Sequence, residues 1–203
     1  YNKALAINIG QNDKKWIAGN YNNLGMIYEK IGEYGLALEY YFKSLEANIE
    51  LNNYNWIANN YGNIGSLYQE MGNPKSLEYF FKRLQINVQL EDISGITQSN
   101  YLIGRYYNSQ GKYNDAINYL QKSYDLSDSI GNLFQTNNIA KELSNAFAGV
   151  GNFKEAYNYH VILKHLNDSL NLEENTQKIT RLEMQYHFRK DQQLNELKYQ
   201  KTE

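Results

Sequence analysis

The sequence predicts an all-α solenoid, and three observations predict it. Aligned columns recur along the chain: Leu24, Ile64, Ile103 and Leu143; Gly25, Gly65, Gly104 and Ser144; Tyr28, Tyr68, Tyr107 and Phe147. Within each unit apolar residues fall three and four apart, as in Tyr21, Leu24, Ile27, Tyr28 and Ile31, which paints one stripe along a helix. Each stripe stops at a glycine, Gly32, Gly72, Gly111 or Gly151, where a left-handed residue can end a helix without a Cβ clash.

The columns are 40, 39 and 40 residues apart. A fixed period in this range marks a stacked array, in which one unit hides its apolar face only when a neighbour covers it. A second stripe opens soon after each glycine, as in Tyr34, Ala37, Leu38, Tyr41 and Leu45, so each unit reads as a helical hairpin. Small residues hold two columns, that of Gly25 and that of Ala37, Ser76, Ala116 and Ala156; Tyr40, Tyr79, Tyr119 and Tyr159 follow three residues later. A glycine inside a helix costs about 1 kcal/mol against alanine, so three at one aligned position imply close approach of two helix backbones. Tyr1 to about Asn12 aligns with Tyr41 to Asn52. The predicted organisation is the second helix of a truncated unit over 1–15, four units over about 16–54, 55–93, 94–131 and 132–169, and a long terminal helix over 170–203.

Composition narrows the function classes. The 203 residues include no cysteine and one proline and carry a formal charge of −2. That charge points to neither nucleic acid nor an anionic membrane, and the missing cysteines rule out disulfides and thiolate metal sites. No apolar run approaches the roughly 20 residues that span a bilayer. The opening YNKALAINIG has no methionine, basic segment or apolar segment of a leader, and reads as an internal piece of a longer protein.

Leu24-Gly25-x-x-Tyr28 followed by Gly32-x-Tyr34-x-x-Ala37 resembles the tetratricopeptide repeat, with Tyr21 where that signature has Trp and Tyr41 where it has Phe. The period exceeds the usual 34 residues, as in the kinesin light chain and the bacterial Rap-type regulators, so the helices or the turns between them should be longer. The closing proline of the signature is missing from every copy. The second copy is one residue short after Gly72 and has Pro74 there, suited to a first helical turn. The fourth copy is the most degenerate, with Ser144 for glycine and His160 at the aromatic position, as expected near an array end.

The resemblance implies that the first helices line a concave groove that binds a peptide or protein segment. Groove positions would be Asn22, Asn23, Met26 and Glu29 in the first unit and Asn59, Asn63, Ser66 and Gln69 in the second. The third would supply Gln98, Tyr101, Arg105 and Asn108, and the fourth Lys141 and Asn145. Asn23 and Asn63 match an asparagine that related long-period repeats use to hold a peptide main chain, because an amide donates and accepts at once. Only Arg105 and Lys141 are basic, so a two-lysine clamp for a carboxylate terminus is not implied, and binding should depend weakly on salt.

Asn171-Leu172-Glu173-Glu174 offers a capping box for the terminal helix, and Leu172, Ile179, Tyr186 and Gln193 lie seven apart, a seam that weakens after Tyr186. This helix reads either as a cap with a solvated face or as the start of a coiled-coil or juxtamembrane connector. Leu166 to Leu170, Ile179 to Tyr186 and Arg189-Lys190-Asp191 resemble the end of the repeat region in Bacteroidetes-type sensor proteins. There a membrane span and a histidine kinase, cyclase or DNA-binding output follow; that resemblance implies periplasmic repeats, with cytoplasm the default otherwise. Homodimerisation through the terminal helix, with no groove ligand, is the structural alternative.

Catalysis has little support. His160 and His165 are five apart, unlike the i, i+4 pair of a helical zinc site, and His165 with Asp168 reads as a surface hydrogen bond. No serine sits in a nucleophile elbow, the Gly62 and Gly65 pair lies inside a helix, and the carboxylates are unpaired. The segment is expected to be no enzyme, to hold no cofactor and no metal, and to bind no nucleic acid.

Overall fold

The computed structural model describes residues 14–171, which form eight helices and no strand. They are α1 (Lys14–Lys30), α2 (Tyr34–Glu50), α3 (Tyr54–Glu70), α4 (Lys75–Gln89), α5 (Ile93–Ser109), α6 (Tyr113–Ser129), α7 (Leu133–Gly149) and α8 over 153–171. Neighbours in sequence are neighbours in space, and the array is an all-α superhelix of antiparallel hairpins α1/α2, α3/α4, α5/α6 and α7/α8. The leading half unit and the terminal seam of the sequence reading lie outside the described residues, as does His187.

The long period comes from the helices, not the turns. Every helix from α1 to α7 has 17 residues except α4, which has 15, while the connections stay at three residues apart from the four that include Pro74. Pro74 stands just ahead of α4 with φ −64°, the conformation its ring imposes, and accounts for the 39-residue step.

One terminator serves all seven connections. Gly32, Gly72, Gly111, Gly131 and Gly151 have φ between 67° and 81°, and Asn52 and Glu91 take the same left-handed conformation at φ 51° and 53°. In the first connection Gly32 N–H donates to Glu29 and Glu33 N–H to Tyr28, and the same pair of bonds recurs at each later one. This double bond satisfies the last helical carbonyls that would otherwise be orphaned. Gly131, Asn52 and Glu91 end the second helices, where the sequence reading placed no glycine signal.

The small-residue columns receive side chains rather than bare backbone. A Cβ on Gly25 would lie 2.6 Å from the Tyr41 ring, on Gly65 2.7 Å from Phe80, and on Gly104 2.5 Å from Leu120. Backbone is also near, since Ser76 O and Ala116 O would stand 3.3 and 3.2 Å from the latter two. In the fourth unit Ser144 replaces glycine and spends its hydroxyl on Ala156 O at 2.9 Å, so the degenerate copy keeps the contact by bonding to it. Tyr41 is 1% exposed and its hydroxyl donates to Glu29.

The tyrosine columns pack against each other inside each hairpin. Tyr28 stacks on Tyr40 at 5.3 Å between ring centroids, Tyr107 on Tyr119 at 5.8 Å and Phe147 on Tyr159 at 5.6 Å, with Tyr68 tilted against Tyr79 at 5.5 Å. Such pairs add about 0.5–1.5 kcal/mol beyond burial. The apolar core sits between hairpins: Tyr41 and Leu45 with Ile57 and Ile64, Phe80 with Leu102 and Ile103, Leu120 with Ile139 and Leu143. A hairpin alone would leave these faces wet, which is why the units stack.

Candidate functional site

The asparagine-rich first helices divide into buried and unspent carboxamides. Asn22 is 6% exposed, and its Oδ1 accepts from Asn63 Nδ2 of the next unit at 2.9 Å. Asn60 is fully buried, donates to Ser44 Oγ at 3.0 Å and accepts from Asn48 Nδ2 at 3.0 Å, while Ser44 Oγ donates to Ala18 O. The pattern repeats one unit on, where Asn87 Nδ2 donates to Ser99 Oγ at 3.1 Å, and two units on, where Ser123 Oγ donates to Thr97 O. Arg83 fills the aligned position between Ser44 and Ser123, folded against Gly62, which leaves room for its guanidinium. Burial lowers the Arg83 pKa from its ordinary value, opposed by Asp92. This polar ladder joins hairpin to hairpin and fixes their register.

Against that frame of bonds the sequence-predicted groove residues behave differently. Asn22 and Asn63 serve the junction, Glu29 accepts from Tyr41, and Asn108 Nδ2 donates to Glu142 across units at 2.9 Å. Gln98 Oε1 accepts from Gln135 at 3.0 Å, and Arg105 lies over the Tyr101 ring at 5.7 Å. Burial raises the Tyr101 pKa, opposed by that guanidinium. Asn59, Lys141 and Asn145 are exposed, Met26 is 43% exposed, and Asn23, Ser66 and Gln69 are half-buried. Two acceptors in one aligned column, Gln69 Oε1 and Asn108 Oδ1, are buried without a partner.

A trough that the sequence reading missed opens beside this face. Trp16 and Trp56, 40 residues apart at equivalent positions of α1 and α3, line a cavity of about 420 Å³ together with Asn20, Asn23 and Asn53. The signal was legible as two tryptophans in one aligned column.

The described residues hold no group of three or more potential metal ligands and no helix long and apolar enough to cross a membrane. His160 and His165 are exposed on α8; the expected bond between His165 and Asp168 is not formed, and His165 O instead accepts from Ser169 Oγ at 2.9 Å.

Repeated hairpins with a polar inner ladder define an α-helical repeat module. Models of the tetratricopeptide repeat match residues 16–83 and 97–129, so these residues carry tetratricopeptide repeats. BtubC from P. vanneervenii is similar in structure, at TM-score 0.72 and 15% identity over 78% of this chain and 66% of that one. A Podosopora anserina protein described as kinesin light chain, with nearly identical TPR-like repeats, gives TM-score 0.66 at 13% identity over 83% and 84%. A Rap protein solved in complex with Competence and Sporulation Factor gives 0.62 at 16% over 78% and 44%. The chain therefore spans less than two thirds of the first of these proteins and under half of the third. No curated protein is similar to it in sequence. As a tetratricopeptide-repeat module the segment is suited to protein–protein interaction.

Proposed function

We propose that the array binds a peptide or protein segment along the face of its first helices, as the sensory or scaffolding region of a larger bacterial signalling protein. The observation that carries this reading is the pair of orphaned acceptors, Gln69 Oε1 and Asn108 Oδ1, in adjoining units. A buried acceptor without a partner costs about 1–3 kcal/mol, and a small turn of either side chain would bring its oxygen to a main-chain N–H of an extended ligand. Asn23, Asn59 and Asn145 make no side-chain hydrogen bond and add donors and acceptors along the same helices, while Arg105 and Lys141 supply the only positive charge among the groove positions. The Rap complex, a fold relative, supports a signalling setting by analogy of fold alone.

The test is to select peptides on the 203-residue chain from a random display library and to measure Kd by titration calorimetry. Changing Gln69 and Asn108 together to Ala is expected to weaken binding about tenfold, as for two neutral hydrogen bonds partly offset by relief of the orphaned atoms. Changing Asn23 to Ala should weaken it further. Unchanged affinity in all variants would refute the assignment of this face.

A second reading, dimerisation without a groove ligand, draws on Phe153 and Tyr157, four apart on α8 and 73% and 68% exposed. Light scattering over a dilution series decides it: a dimer weakened by Phe153→Ser with Tyr157→Ser favours assembly, and a monomer at all concentrations rejects it.

A further inference from the structure

The three turns that join one unit to the next carry apolar columns of their own. Leu51, Leu90 and Ile130 stand just past the second helices α2, α4 and α6, and Tyr54, Ile93 and Leu133 open the first helices α3, α5 and α7. An apolar residue at such a turn ordinarily packs onto the helix it follows. Here all six remain 37–50% exposed, and Ile49 and Val88, in the last turns of α2 and α4, are more than half exposed. Eight exposed apolar side chains gathered on one edge of a repeat array mark an interaction surface.

The turns lie side by side. Phe42 meets Tyr79 at 6.2 Å and Phe81 meets Tyr119 at 5.9 Å between ring centroids, so the second helices of adjoining units are in contact. Packed helices stand about 8–10 Å apart, which spaces the three apolar pairs at about that interval. Seven residues of an α-helix rise about 10.5 Å. A helix laid along this edge therefore meets one apolar pair per heptad with its own a and d residues.

The same turns are acidic. Segments 49–54, 88–93 and 128–133 hold Glu50, Glu91, Asp92 and Asp128 and no lysine or arginine. Lys14 pairs with Glu50 at 2.7 Å, and Asp92 has Arg83 within electrostatic reach. Glu91 and Asp128 are exposed, and neither is in an ion pair among the described residues. Such an edge repels an anionic lipid surface and attracts a basic partner.

We propose that this edge docks a basic amphipathic helix of a partner protein. Its apolar stripe lies on Leu51 and Tyr54, Leu90 and Ile93, and Ile130 and Leu133, and its lysines or arginines face Glu91 and Asp128. The surface is separate from the groove of the first helices, and the inference does not rest on the groove reading.

The probe is a blocked, fluorescein-labelled peptide of three heptads with leucine at a and d and lysine elsewhere, titrated with the full chain and followed by anisotropy. Controls are the same residues in scrambled order, a leucine–glutamate counterpart, and anionic phospholipid vesicles. The leucine–lysine peptide is expected to bind saturably, with both control peptides at least about tenfold weaker. Leu90→Ser with Ile93→Ser removes one of the three apolar pairs and should weaken binding about tenfold. Glu91→Lys with Asp128→Lys should also weaken it and flatten its dependence on salt. Far-ultraviolet circular dichroism checks that each variant stays helical; if the Leu90, Ile93 variant does not, Ile130→Ser with Leu133→Ser takes its place. The proposal is overturned by no saturable binding, by equal binding of either control peptide, by undiminished binding in a helical apolar or charge variant, or by capture of the vesicles in place of the peptide. The Gln69→Ala, Asn108→Ala double variant should bind the leucine–lysine peptide normally, so failure at this edge and failure of the groove reading are told apart.

Discussion

Gly19 and Gly25 lie six residues apart within α1, and replacing each by alanine should have opposite effects. Alanine gains about 1 kcal/mol of helix propensity over glycine at either position. At Gly19 the new methyl meets nothing within 4 Å, so the gain should appear in full. At Gly25 it would stand 2.6 Å from Tyr41 Cδ1 and 2.7 Å from Cε1. The ring cannot yield cheaply, because Tyr41 is 1% exposed and its hydroxyl is held by Glu29. Forcing one methyl into such packing costs about 1–3 kcal/mol. The difference between the two variants removes the shared propensity term and isolates the steric one, about 1–3 kcal/mol in favour of Gly19→Ala. Urea unfolding followed by circular dichroism at 222 nm measures both variants under one protocol. A difference below about 0.5 kcal/mol would refute the claim that the glycine column exists to admit the second helix's side chain.

Three further outcomes follow from the junctions. Asn60→Ala removes three buried hydrogen bonds of the polar ladder, one of them long, and leaves a cavity, so it should destabilise by about 2–3 kcal/mol and speed amide exchange in α1 and α2, readable by mass spectrometry. Glu91→Gly should stabilise by about 0.5–1 kcal/mol in the same urea assay, because φ 53° strains any residue with a Cβ, while Asn52→Gly should gain less since asparagine tolerates that conformation. The pKa values of Tyr41, Tyr79, Tyr101, Tyr107, Tyr124 and Tyr159 are raised, with burial the largest cause in each. Their contribution is complete below the unfolded tyrosine value of about 10 and is lost as pH rises above it, because the unfolded chain releases its protons first. The thermal midpoint should therefore fall steeply above about pH 10, and less steeply in Tyr41→Phe.

The hairpins were legible because their causes are local. Leu24, Tyr28 and Ile31 paint a stripe, and Gly32 stops it, with no need of a distant partner. Gly131 marks the end of a second helix as Gly32 marks the end of a first, whereas Asn52 and Glu91 take the same left-handed turn, closed by the same local pair of backbone bonds, without a glycine to signal it. The groove positions were legible by register along each helix, but register does not say which amides are already occupied. Asn22 and Asn63 are held by each other across a junction, whereas Asn23 next to them is unspent.

Periodicity in the chain thus determined the secondary structure, the pairing of each hairpin and the stacked array, since a repeated amphipathic pattern has few other ways to hide its apolar faces. Only the tertiary structure decided that Tyr41 closes on Gly25, that Asn48 and Asn60 bond across units, and that Trp16 and Trp56 share a trough with Asn20. Those facts depend on how far one helix stands from the next, a distance set jointly by side chains some 12 to 40 positions apart, and no single segment of sequence contains it.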